Sequence, residues 1–463
     1  MISMPSRRCW TSVPFPEEED AAAQLFAALW GRLGAHVAAA FLDSSDHART
    51  TAPQRSRYSI LAFSSAEDLG TSVDAAAFDW LAERWRHKGA AHQGDAAISP
   101  SPFQLGWVGW IGYEGQARLF AAHRAVVVDH HLGTAEIQST HRDAWWQQVV
   151  LEELDALHQE QPGPIGGELS ALTARDSRAQ YLAKIQAAQA EIREGNSYEV
   201  CLTTAVNGEF RGSPWQAYRR LREHNRAPFT QYLHFPPGSA QEAMAVLSTS
   251  PERFASITSD GTILSEPIKG TRPRGMTAED DASQLFDLQT HPKDRAENVM
   301  IADLVRNDLS IHAEPGSLRT ERLCAVETYA TVHQMVSTIS ARLAAQAGRA
   351  RALKDAFPPG SMTGAPKGST MNILARLETG ERGPYSGVAG WFSSTGSCDL
   401  SVLIRTAVLR SDRGGSEATD TWSFHLGLGG AITADSVPDA EWDEIITKSR
   451  GVLNSLGAEF PQD

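Results

Sequence analysis

Two groups of acidic residues have the spacing of a divalent-cation site. Asp294 and Glu297 are three positions apart on a predicted helix, as are Glu441 and Glu444, with Lys448 one turn later. Acids at i and i+3 share one face of a helix. Two such faces, if opposed, would suit a hard cation that prefers oxygen ligands and keeps waters beside an anionic substrate. Taken alone, charged runs of this kind are more commonly solvated helix faces.

Two glycine-rich segments could bind an anion through backbone N–H groups. They are FPPGSMTGAPK at Phe357–Lys367 and GLGG at Gly427–Gly430, and such loops cradle anions when they precede a helix. The first segment is not a nucleotide phosphate loop, because Ala365 and Pro366 stand where that motif needs Gly-Lys. Glycines that simply form turns are the alternative interpretation.

Lys269 lies in the segment EPIKGTRPR at Glu266–Arg274, between a predicted strand end and a glycine turn. A lysine held there could act as a nucleophile if desolvation or nearby cations lower its pKa. Most single lysines are surface charges. Residue types and spacing alone therefore indicate an anion-binding enzyme, with a divalent metal as one option, and they leave its reaction open.

The elements that must position these residues mix helices and strands without a regular βαβ rhythm, so we predict an α+β fold. The spacing predicts helices over Ala21–Leu33, Arg178–Glu194, Lys293–Asp303, Gly368–Leu377 and Asp439–Leu456. It predicts strands over Val37–Leu42, Ala125–Val128, Val200–Val206, Ala245–Leu247, Val388–Phe392, Val402–Leu409 and Thr421–Leu426. Ser177 is a candidate cap for the second helix.

Glycine and proline mark two further features of the chain. Gln104–Glu114 (QLGWVGWIGYE) spaces three glycines among bulky apolar residues, which favours close packing of the backbone against a neighbour. Residues 158–177 hold two prolines and several glycines and are a predicted linker. The predicted organisation is therefore an N-terminal region over 1–157, this linker, and a second region over 178–463.

Composition disfavours several classes of partner. The 463 residues include 42 Lys plus Arg and 56 Asp plus Glu, a formal net charge of −14, which argues against nucleic acid or an anionic membrane. We find no signal peptide and no apolar run long enough to span a bilayer, so we expect a cytoplasmic protein. The scattered Cys9, Cys201, Cys324 and Cys398 indicate reduced thiols rather than disulfides or a zinc site.

Several ordered segments resemble the chorismate-utilising family, which includes anthranilate, aminodeoxychorismate, isochorismate and salicylate synthases. They span most of residues 180–452, and their number and order leave little room for chance. The segments are SPERF at Ser250–Phe254, EPIKGTRPR at Glu266–Arg274, DRAENVMIADLVRNDL at Asp294–Leu309, VHQMVS at Val332–Ser337, FPPGSMTGAPK at Phe357–Lys367, RGPYSGVAGW at Arg382–Trp391, IRTAVL at Ile404–Leu409 and GGAITADSVPDAEWDEIITKSR at Gly429–Arg450. The resemblance implies the family's fold, in which large β-sheets pack with helices and the N-terminal region is intertwined with a chorismate-binding catalytic domain.

The resemblance also implies a cofactor, Mg²⁺, which would bind the ring carboxylate of chorismate. Glu297 and Glu444 match the principal metal ligands of the family, supported by Asp294 and Glu441. Positions that match substrate-binding residues are Thr271, Thr363, Tyr385, Arg405, Gly429, Gly430 and Lys448. Arg405 and Tyr385 would hold the enolpyruvyl carboxylate, to which a guanidinium can donate two hydrogen bonds.

Three positions match catalytic residues of the family. Glu252 resembles the general acid that protonates the departing 4-hydroxyl of chorismate. His333 matches an active-site histidine with an acid–base or orienting role. Lys269 decides the branch, because anthranilate synthases carry alanine at this position and most aminodeoxychorismate synthases carry lysine. In that branch the lysine amine attacks C2 as the 4-hydroxyl leaves, and ammonia then enters at C4 and expels the lysine.

The resemblance therefore implies component I of an aminodeoxychorismate synthase, which makes 4-amino-4-deoxychorismate for 4-aminobenzoate and folate. The alternatives are component I of an anthranilate synthase or another chorismate-aminating synthase. A different class, a non-catalytic tryptophan-binding homologue, is disfavoured because Glu252, Glu297, Arg405 and Glu444 are all present.

The nitrogen source follows from what the sequence lacks. It has no Gly-x-Cys-x-Gly nucleophile elbow, so we expect free ammonia or ammonia from a separate glutamine amidotransferase subunit, component II. Segments around Ser44 and Arg57 resemble those that line a tryptophan pocket in some relatives, and plain polar turns are the alternative. Ser197–Cys201 (SYEVC) departs from the family's usual Tyr-Gln-Val-Asn, so no role is predicted for that strand.

Overall fold

The computed structural model describes residues 9–18, 20–47, 55–68, 70–85, 101–157, 167–238, 241–329, 331–411 and 421–462. Within them, strands β1 to β22 are, in chain order, Cys9–Pro14, Ala39–Asp43, Tyr58–Phe63, Thr71–Val73, Gly106–Ile111, Ala117–Ala122, Arg124–Asp129, Thr134–Ser139, Glu168–Ala174, Glu199–Arg211, Phe229–Phe235, Ala243–Ser250, Arg253–Ile257, Thr262–Glu266, Ile268–Pro273, Arg319–Thr328, Val332–Arg342, Gly364–Ala365, Val388–Ser393, Cys398–Val402, Thr406–Ser411 and Thr421–Ile432. Helices α1 to α10 are Ala21–Leu33, Ala77–Arg84, Ala144–Ala156, Arg178–Arg193, Pro214–His224, Ala278–Thr290, Pro292–Ser310, Arg349–Ala356, Lys367–Leu377 and Pro438–Ser455.

In the described part of the chain, these strands form two large antiparallel sheets. Twelve strands make the first sheet, in the order β1-β8-β7-β3-β2-β11-β12-β21-β22-β10-β18, with β9 paired to β10. Ten strands make the second, in the order β15-β17-β14-β13-β20-β19-β5-β6-β4, with β16 paired to β17. Each sheet takes strands from both the N-terminal region and the rest of the chain. The predicted α+β class and the intertwined N-terminal region are therefore confirmed.

Alternating side chains along the central strands build the layers. In β2, Phe41 packs against the helices on the outer face of the first sheet, whereas Ala40 packs between the two sheets. In β5 of the second sheet, Trp107 faces the outer helices and Val108 faces inward. This alternation arises because successive strand residues point to opposite faces. The result is a helix–sheet–sheet–helix arrangement with an apolar core in each interlayer space.

The predicted elements agree with the structure at most positions and fail at one. The predicted cap of α4 is present, because Ser177 and Gln180 form a reciprocal capping box. The prediction of one continuous strand over Val402–Leu409 is wrong. β20 ends at Val402 and β21 begins at Thr406, because Arg405 between them has a left-handed backbone, with φ of 51°, that an extended strand does not accommodate.

The predicted linker over residues 158–177 is only partly described. Residues 158–166 lie outside the described residues, and Glu168–Ala174 forms β9, which pairs with β10. The division of the chain at this segment stays a prediction. Among the described residues, no helix is long and apolar enough to cross a membrane. The four cysteines are free, as expected.

The glycines of β5 permit the close packing that their spacing indicated. A Cβ atom added at Gly109, where φ is +153°, would lie 2.1 Å from the carbonyl oxygen of Arg118 in β6. A Cβ atom at Gly106 would lie 2.0 Å from the carbonyl oxygen of Phe392 in β19. Strand β5 can therefore sit between its two neighbours only because these positions carry no side chain.

We expect Gly109→Ala to lower the free energy of unfolding by more than about 2 kcal/mol, because the new methyl group meets rigid backbone at a strained φ. Gly31→Ala is the matched control, since Gly31 lies in α1 with open space around it, and we expect it to stabilise the protein by about 0.5–1 kcal/mol. Denaturant unfolding of both variants measures the difference. Equal stability of the two variants would contradict the packing described for β5.

Candidate active site

Strands β10 and β22 form the base of the candidate site. Their ladder places Gly430 opposite Leu202 and Gly429 opposite Thr203. Helix α10 packs over these glycines: a Cβ atom at Gly430 would lie 3.5 Å from Oε2 of Glu441 and 4.0 Å from Nζ of Lys448. The structure thus gathers the glycine strand and the charged face of α10 into one site.

The acidic faces of α7 and α10 are opposed across this site. Nζ of Lys293 lies 3.7 Å from Oε1 of Glu297 on α7 and 3.9 Å from Oε1 of Glu441 on α10. Burial raises the pKa of both carboxyl groups. Their ionised forms are therefore costly without a nearby cation, and an ammonium group stands between them.

Glu444 completes this acidic group, although its closest partner is a lysine. Its Oε1 lies 2.7 Å from Nζ of Lys448, which also donates a hydrogen bond to the carbonyl oxygen of Gly429 at 2.9 Å. Lys448 outweighs burial and lowers the pKa of Glu444. As they stand, no three acidic, histidine or cysteine side chains within the described ranges are close enough together to hold a metal.

Asp294 is engaged elsewhere. Its Oδ2 accepts a hydrogen bond from Nη2 of Arg272 at 2.8 Å and lies 3.1 Å from Nδ1 of His291. The carboxylate is therefore bound to β15 and the start of α7 rather than to the other acids. Its predicted role as a supporting metal ligand stays a prediction and would require it to leave Arg272.

Lys269 points into the same site and is nearly buried. The side chain is only 12% exposed, and Nζ donates a hydrogen bond of 2.6 Å to Oε1 of Glu199 on β10. Burial alone would lower the pKa of Lys269, but the carboxylate of Glu199 outweighs it and raises the pKa. A lowered pKa was the condition for Lys269 to act as a nucleophile. That condition is not met, because Glu199, which the sequence analysis did not identify, stabilises the ammonium form.

Glu199 is the main site residue that the sequence analysis missed. Its strand was left without a role because SYEVC departs from the family pattern. Val200 and Leu202 lie in the core beneath the first sheet, whereas Cys201 belongs to the core on the other side. Because strand residues alternate, Glu199 shares the face of Cys201. Reading β10 with a period of two would have placed Glu199 in the site.

Glu252 has the properties of a proton donor at neutral pH. It follows β12 and is 5% exposed, and burial raises its pKa from 4.5 to about 7. Ser361, in the short 3₁₀ helix Gly360–Met362, donates a hydrogen bond of 2.7 Å to Oε1 of Glu252. Lys269 partly offsets the effect of burial on this pKa. The carboxyl group is therefore close enough to Lys269 to be affected by its charge and can carry a proton near pH 7.

Arg405 is placed to bind an anion. Its guanidinium is half-buried and, among the described residues, has no hydrogen-bonded or acidic partner, and burial lowers its pKa. Its left-handed backbone lies in the break between β20 and β21. Tyr385 lies in a turn beside this break. A hydrogen bond from Ser386 N to Leu403 O joins the turn to the break. Strained backbone beside an unpaired guanidinium is typical of a functional position.

Arg382 holds the glycine-rich loop against β10, a role that the sequence did not reveal. Its buried guanidinium donates hydrogen bonds to the carbonyl oxygens of Met362 at 2.7 Å and Cys201 at 2.9 Å. Glu378 supplies its counter-charge at 2.7 Å. Arg382 thereby fixes the spacing between the strand that carries Glu199 and the loop that carries Ser361.

Three further predicted site residues make their contacts outside this group. Thr363 directs its hydroxyl to the carbonyl oxygen of Gly360 in its own loop. Thr271 is exposed on β15. The ring of His333 is hydrogen-bonded to Thr328 at 2.9 Å and Asp281 at 3.0 Å. The structure does not join these side chains to Lys269 or Glu252, and their substrate-binding and catalytic roles stay predictions.

Ser44 and Arg57, the residues of the predicted tryptophan pocket, are both bound to the protein itself. Ser44 donates a hydrogen bond to the carbonyl oxygen of Tyr58 at 2.7 Å. Arg57 pairs with Asp129 at 2.7 Å. They lie next to the ends of β2 and β3 in the first sheet. The predicted pocket stays a prediction.

Comparison with known proteins places the chain in a family. A model of the chorismate binding enzymes matches residues 38–454. The chain belongs to the chorismate binding enzyme family. An aminodeoxychorismate synthase of Streptomyces griseus is 41% identical over 421 residues, which cover 86% of this chain and 56% of that protein. Aminodeoxychorismate synthase component 1 of Klebsiella aerogenes is 42% identical over 289 residues, 62% of this chain and 60% of that one.

Solved structures of the family share the fold. Anthranilate synthase component I from Streptococcus pneumoniae TIGR4 superposes with a TM-score of 0.67 at 25% identity, covering 86% of this chain and 92% of that one. The menaquinone-specific isochorismate synthase MenF of Escherichia coli gives a TM-score of 0.71 at 17% identity, covering 98% and 95% of the two chains, and supports the fold alone. This chorismate binding enzyme spans little more than half the length of the first curated relatives that it matches.

Because the pKa of Glu252 is raised, we predict that the free energy of unfolding depends on pH. The folded state holds this proton more tightly than the unfolded state, so stability falls as pH rises from about 4.5 to about 7. Glu252→Gln removes that cost, and we expect it to gain about 2–3 kcal/mol relative to the parent between about pH 5 and about pH 8. Glu209→Gln, on the exposed end of β10, is the control. Parallel unfolding curves for Glu252→Gln and the parent across this range would refute the raised pKa.

Proposed function

We propose that this chain is the chorismate-aminating component of an aminodeoxychorismate synthase, which converts chorismate and ammonia into 4-amino-4-deoxychorismate. The observation that carries the proposal is the nearly buried amine of Lys269, whose charge lowers the pKa of the Glu252 carboxyl group and so partly offsets the effect of burial on it. A nucleophile and a proton donor that interact electrostatically suit the replacement of a hydroxyl group. The names of the Streptomyces griseus and Klebsiella aerogenes relatives support the same reaction.

Substrate binding follows from the cationic groups of the site. Arg405 binds the enolpyruvyl carboxylate, because its guanidinium can donate two hydrogen bonds and has no acidic partner in the described chain. Tyr385 packs its ring against Gly427, where an added Cβ atom would lie 2.1 Å from the ring. Lys448 and the backbone of β22 hold the second carboxylate. Two anchored carboxylates fix the ring between Lys269 and Glu252.

The chemistry consists of two allylic displacements. Nζ of Lys269 attacks C2 of chorismate, both ring double bonds shift by one position, and the C4–O bond breaks while Glu252 protonates the departing hydroxyl, which leaves as water. Ammonia then attacks C4, both double bonds shift back, and the C2–N bond to the lysine breaks. The enolpyruvyl group is retained. Covalent catalysis thus divides one difficult substitution into two easier steps.

Mg²⁺ is the cofactor that fits the opposed acids. Glu297 and Glu444 would hold it, with Glu441 and, once released from Arg272, Asp294 in support. The fit is supported by Lys293, whose ammonium already stands within 4 Å of carboxylate oxygens from both helices. When bound, the ion supplies positive charge that neutralises and orients the ring carboxylate. The carboxylate oxygens of this set are the ligands that Mg²⁺ prefers.

The nitrogen arrives as ammonia, delivered by a separate glutamine amidotransferase subunit. Relatives from Klebsiella aerogenes and Escherichia coli carry the name component 1, which supports the existence of a second component. A further enzyme removes pyruvate from the product to give 4-aminobenzoate for folate. Tryptophan binding around Ser44 and Arg57 is a secondary prediction supported by the resemblance alone.

We expect Lys269→Ala to lower amination of chorismate by at least roughly 10³-fold, because the variant lacks the nucleophile. The assay combines the chain, chorismate, Mg²⁺ and ammonium, and a lyase added afterwards releases 4-aminobenzoate. Lys354→Ala is the control, since Lys354 is paired with Asp79 on the surface. Undiminished turnover by Lys269→Ala would refute the covalent route. Anthranilate formed without the lyase would instead indicate an anthranilate synthase.

The position of Lys293 between the two acidic helix faces leads to a prediction about Mg²⁺ binding. We expect chelation of Mg²⁺ to abolish turnover and Glu297→Ala to raise the Mg²⁺ concentration required by more than roughly 10-fold. Lys293→Ala removes the competing cation, so its thermal stability should rise more on addition of Mg²⁺ than that of the parent. Thermal unfolding with and without Mg²⁺ measures this difference without any assay of activity. An identical Mg²⁺ response in all three proteins would exclude these acids as ligands.

A further inference from the structure

Glu199 has a buried carboxylate of which, among the described residues, one oxygen is hydrogen-bonded and the other is not. Its side chain is fully buried, and Oε1 lies 2.6 Å from Nζ of Lys269. Among the residues that the structure describes, Oε2 has no hydrogen-bond partner. Buried carboxylate oxygens are normally hydrogen-bonded, and an exception calls for an explanation. A purely structural ion pair would be expected to satisfy both oxygens, because desolvation otherwise exceeds the attraction.

The backbone around Glu199 holds the carboxylate in place. Glu199 is the first residue of β10 and pairs with Ala365 of β18. Tyr198 N donates a hydrogen bond to Ala365 O at 2.7 Å, and Ser197 Oγ donates one to Glu199 O at 2.9 Å. The side chain therefore emerges from a fixed strand end between the glycine-rich loop and β22. A group held in this way is preorganised for a reaction at the atom it touches.

Lys269 cannot act as a nucleophile in the form that the structure shows. The ion pair stabilises its ammonium form, which has no lone pair, so a proton must leave before Nζ can attack C2. Glu252 cannot accept this proton in the same step, because it must itself be protonated to donate to the 4-hydroxyl. Oε1 of Glu199 is the carboxylate oxygen already in hydrogen-bond contact with Nζ.

We propose that Glu199 is a catalytic residue that takes the proton from Lys269 as the amine attacks the substrate and returns it when the lysine is expelled. This inference rests on the proposed function, since it concerns the same lysine and the same reaction. It goes beyond it by assigning a chemical role to a residue at the start of β10. The neighbouring titratable groups that interact electrostatically with this pair are Cys201, Glu252, Glu297 and Glu444.

The proton and electron pairs balance over the cycle. The ammonium of Lys269 passes a proton to Glu199, and the freed lone pair forms the C2–N bond while the C4–O bond breaks and Glu252 supplies the proton that makes water. Ammonia, the co-substrate of the proposed reaction, attacks C4 and expels the lysine as a neutral amine. Glu252 takes a proton from the new C4 ammonium group, and Glu199 returns its proton to Lys269. The net change is chorismate plus ammonia to 4-amino-4-deoxychorismate plus water.

The test is Glu199→Gln, which keeps the shape of the side chain and removes its ability to accept the proton. Turnover of chorismate with ammonium and Mg²⁺ is measured from about pH 6.5 to about pH 9.5. We expect kcat near neutral pH to fall by roughly 10²-fold or more while KM for chorismate changes by less than about 3-fold. The loss should shrink as pH rises, because the unpaired and buried Lys269 can then release its proton to solvent. Glu209→Gln, on the same strand, is the matched control.

Two results would overturn the role of Glu199: a parent-like kcat for Glu199→Gln at every pH, or a loss confined to KM. If the Gln variant fails to fold, Glu199→Asp replaces it; lowered kcat with retained KM supports the role, and parent-like kcat overturns it. The outcome stays separate from that of the proposed function. Product from the parent and none from Lys269→Ala, together with a parent-like Glu199→Gln, would reject Glu199 alone. If the parent makes no aminated product, the proposed function is refuted, and the role of Glu199 that rests on it is refuted as well.

Discussion

The register between β10 and β22 is the constraint on which the site depends. The two strands pair continuously from Val200 opposite Ile432 to Arg211 opposite Thr421. Because side chains alternate along a strand, a slip of one residue would turn Glu199 away from the site and exchange every core residue of β10 with the opposite face. The same register sets Gly429 and Gly430 beneath α10. Glu199 and the glycine strand therefore share a single alignment.

Charge balance in the site depends on burial and on the neighbours of each acid. The carboxyl groups of Glu199, Glu252 and Glu297 lie near a small number of cations, and each is stabilised in a different way. Glu199 pairs with Lys269, burial raises the pKa of Glu252 to about 7, and Glu297 lies 3.7 Å from the ammonium group of Lys293. Burial raises the pKa of Glu252 and of Glu297, and the charge of Lys269 offsets only part of that rise.

The sequence predicted the fold class, the bounds of most helices and the acidic faces of α7 and α10, because these rest on local periodicity and on short ordered motifs. It failed over Val402–Leu409, where the composition is typical of a strand but the left-handed backbone of Arg405 interrupts it. It also missed Glu199 and Arg382. Both act through partners that are remote in sequence, and no local pattern shows which strand end will face a given lysine. For the same reason the sequence could not show that Glu199 raises the pKa of Lys269.

The interleaving of the sheets has a consequence for how the chain is made. Strand β2 pairs with β3 on one side and with β11 on the other, and β5 pairs with β6 and with β19. During synthesis on the ribosome, the N-terminal strands emerge long before β11 and β19, so β2 and β5 each present one unpaired edge in the meantime. Open edges invite pairing with other chains, and such distant pairings form slowly. Nascent chains of this architecture are thus at greatest risk of aggregation midway through translation, when the first region is complete and its partners are not.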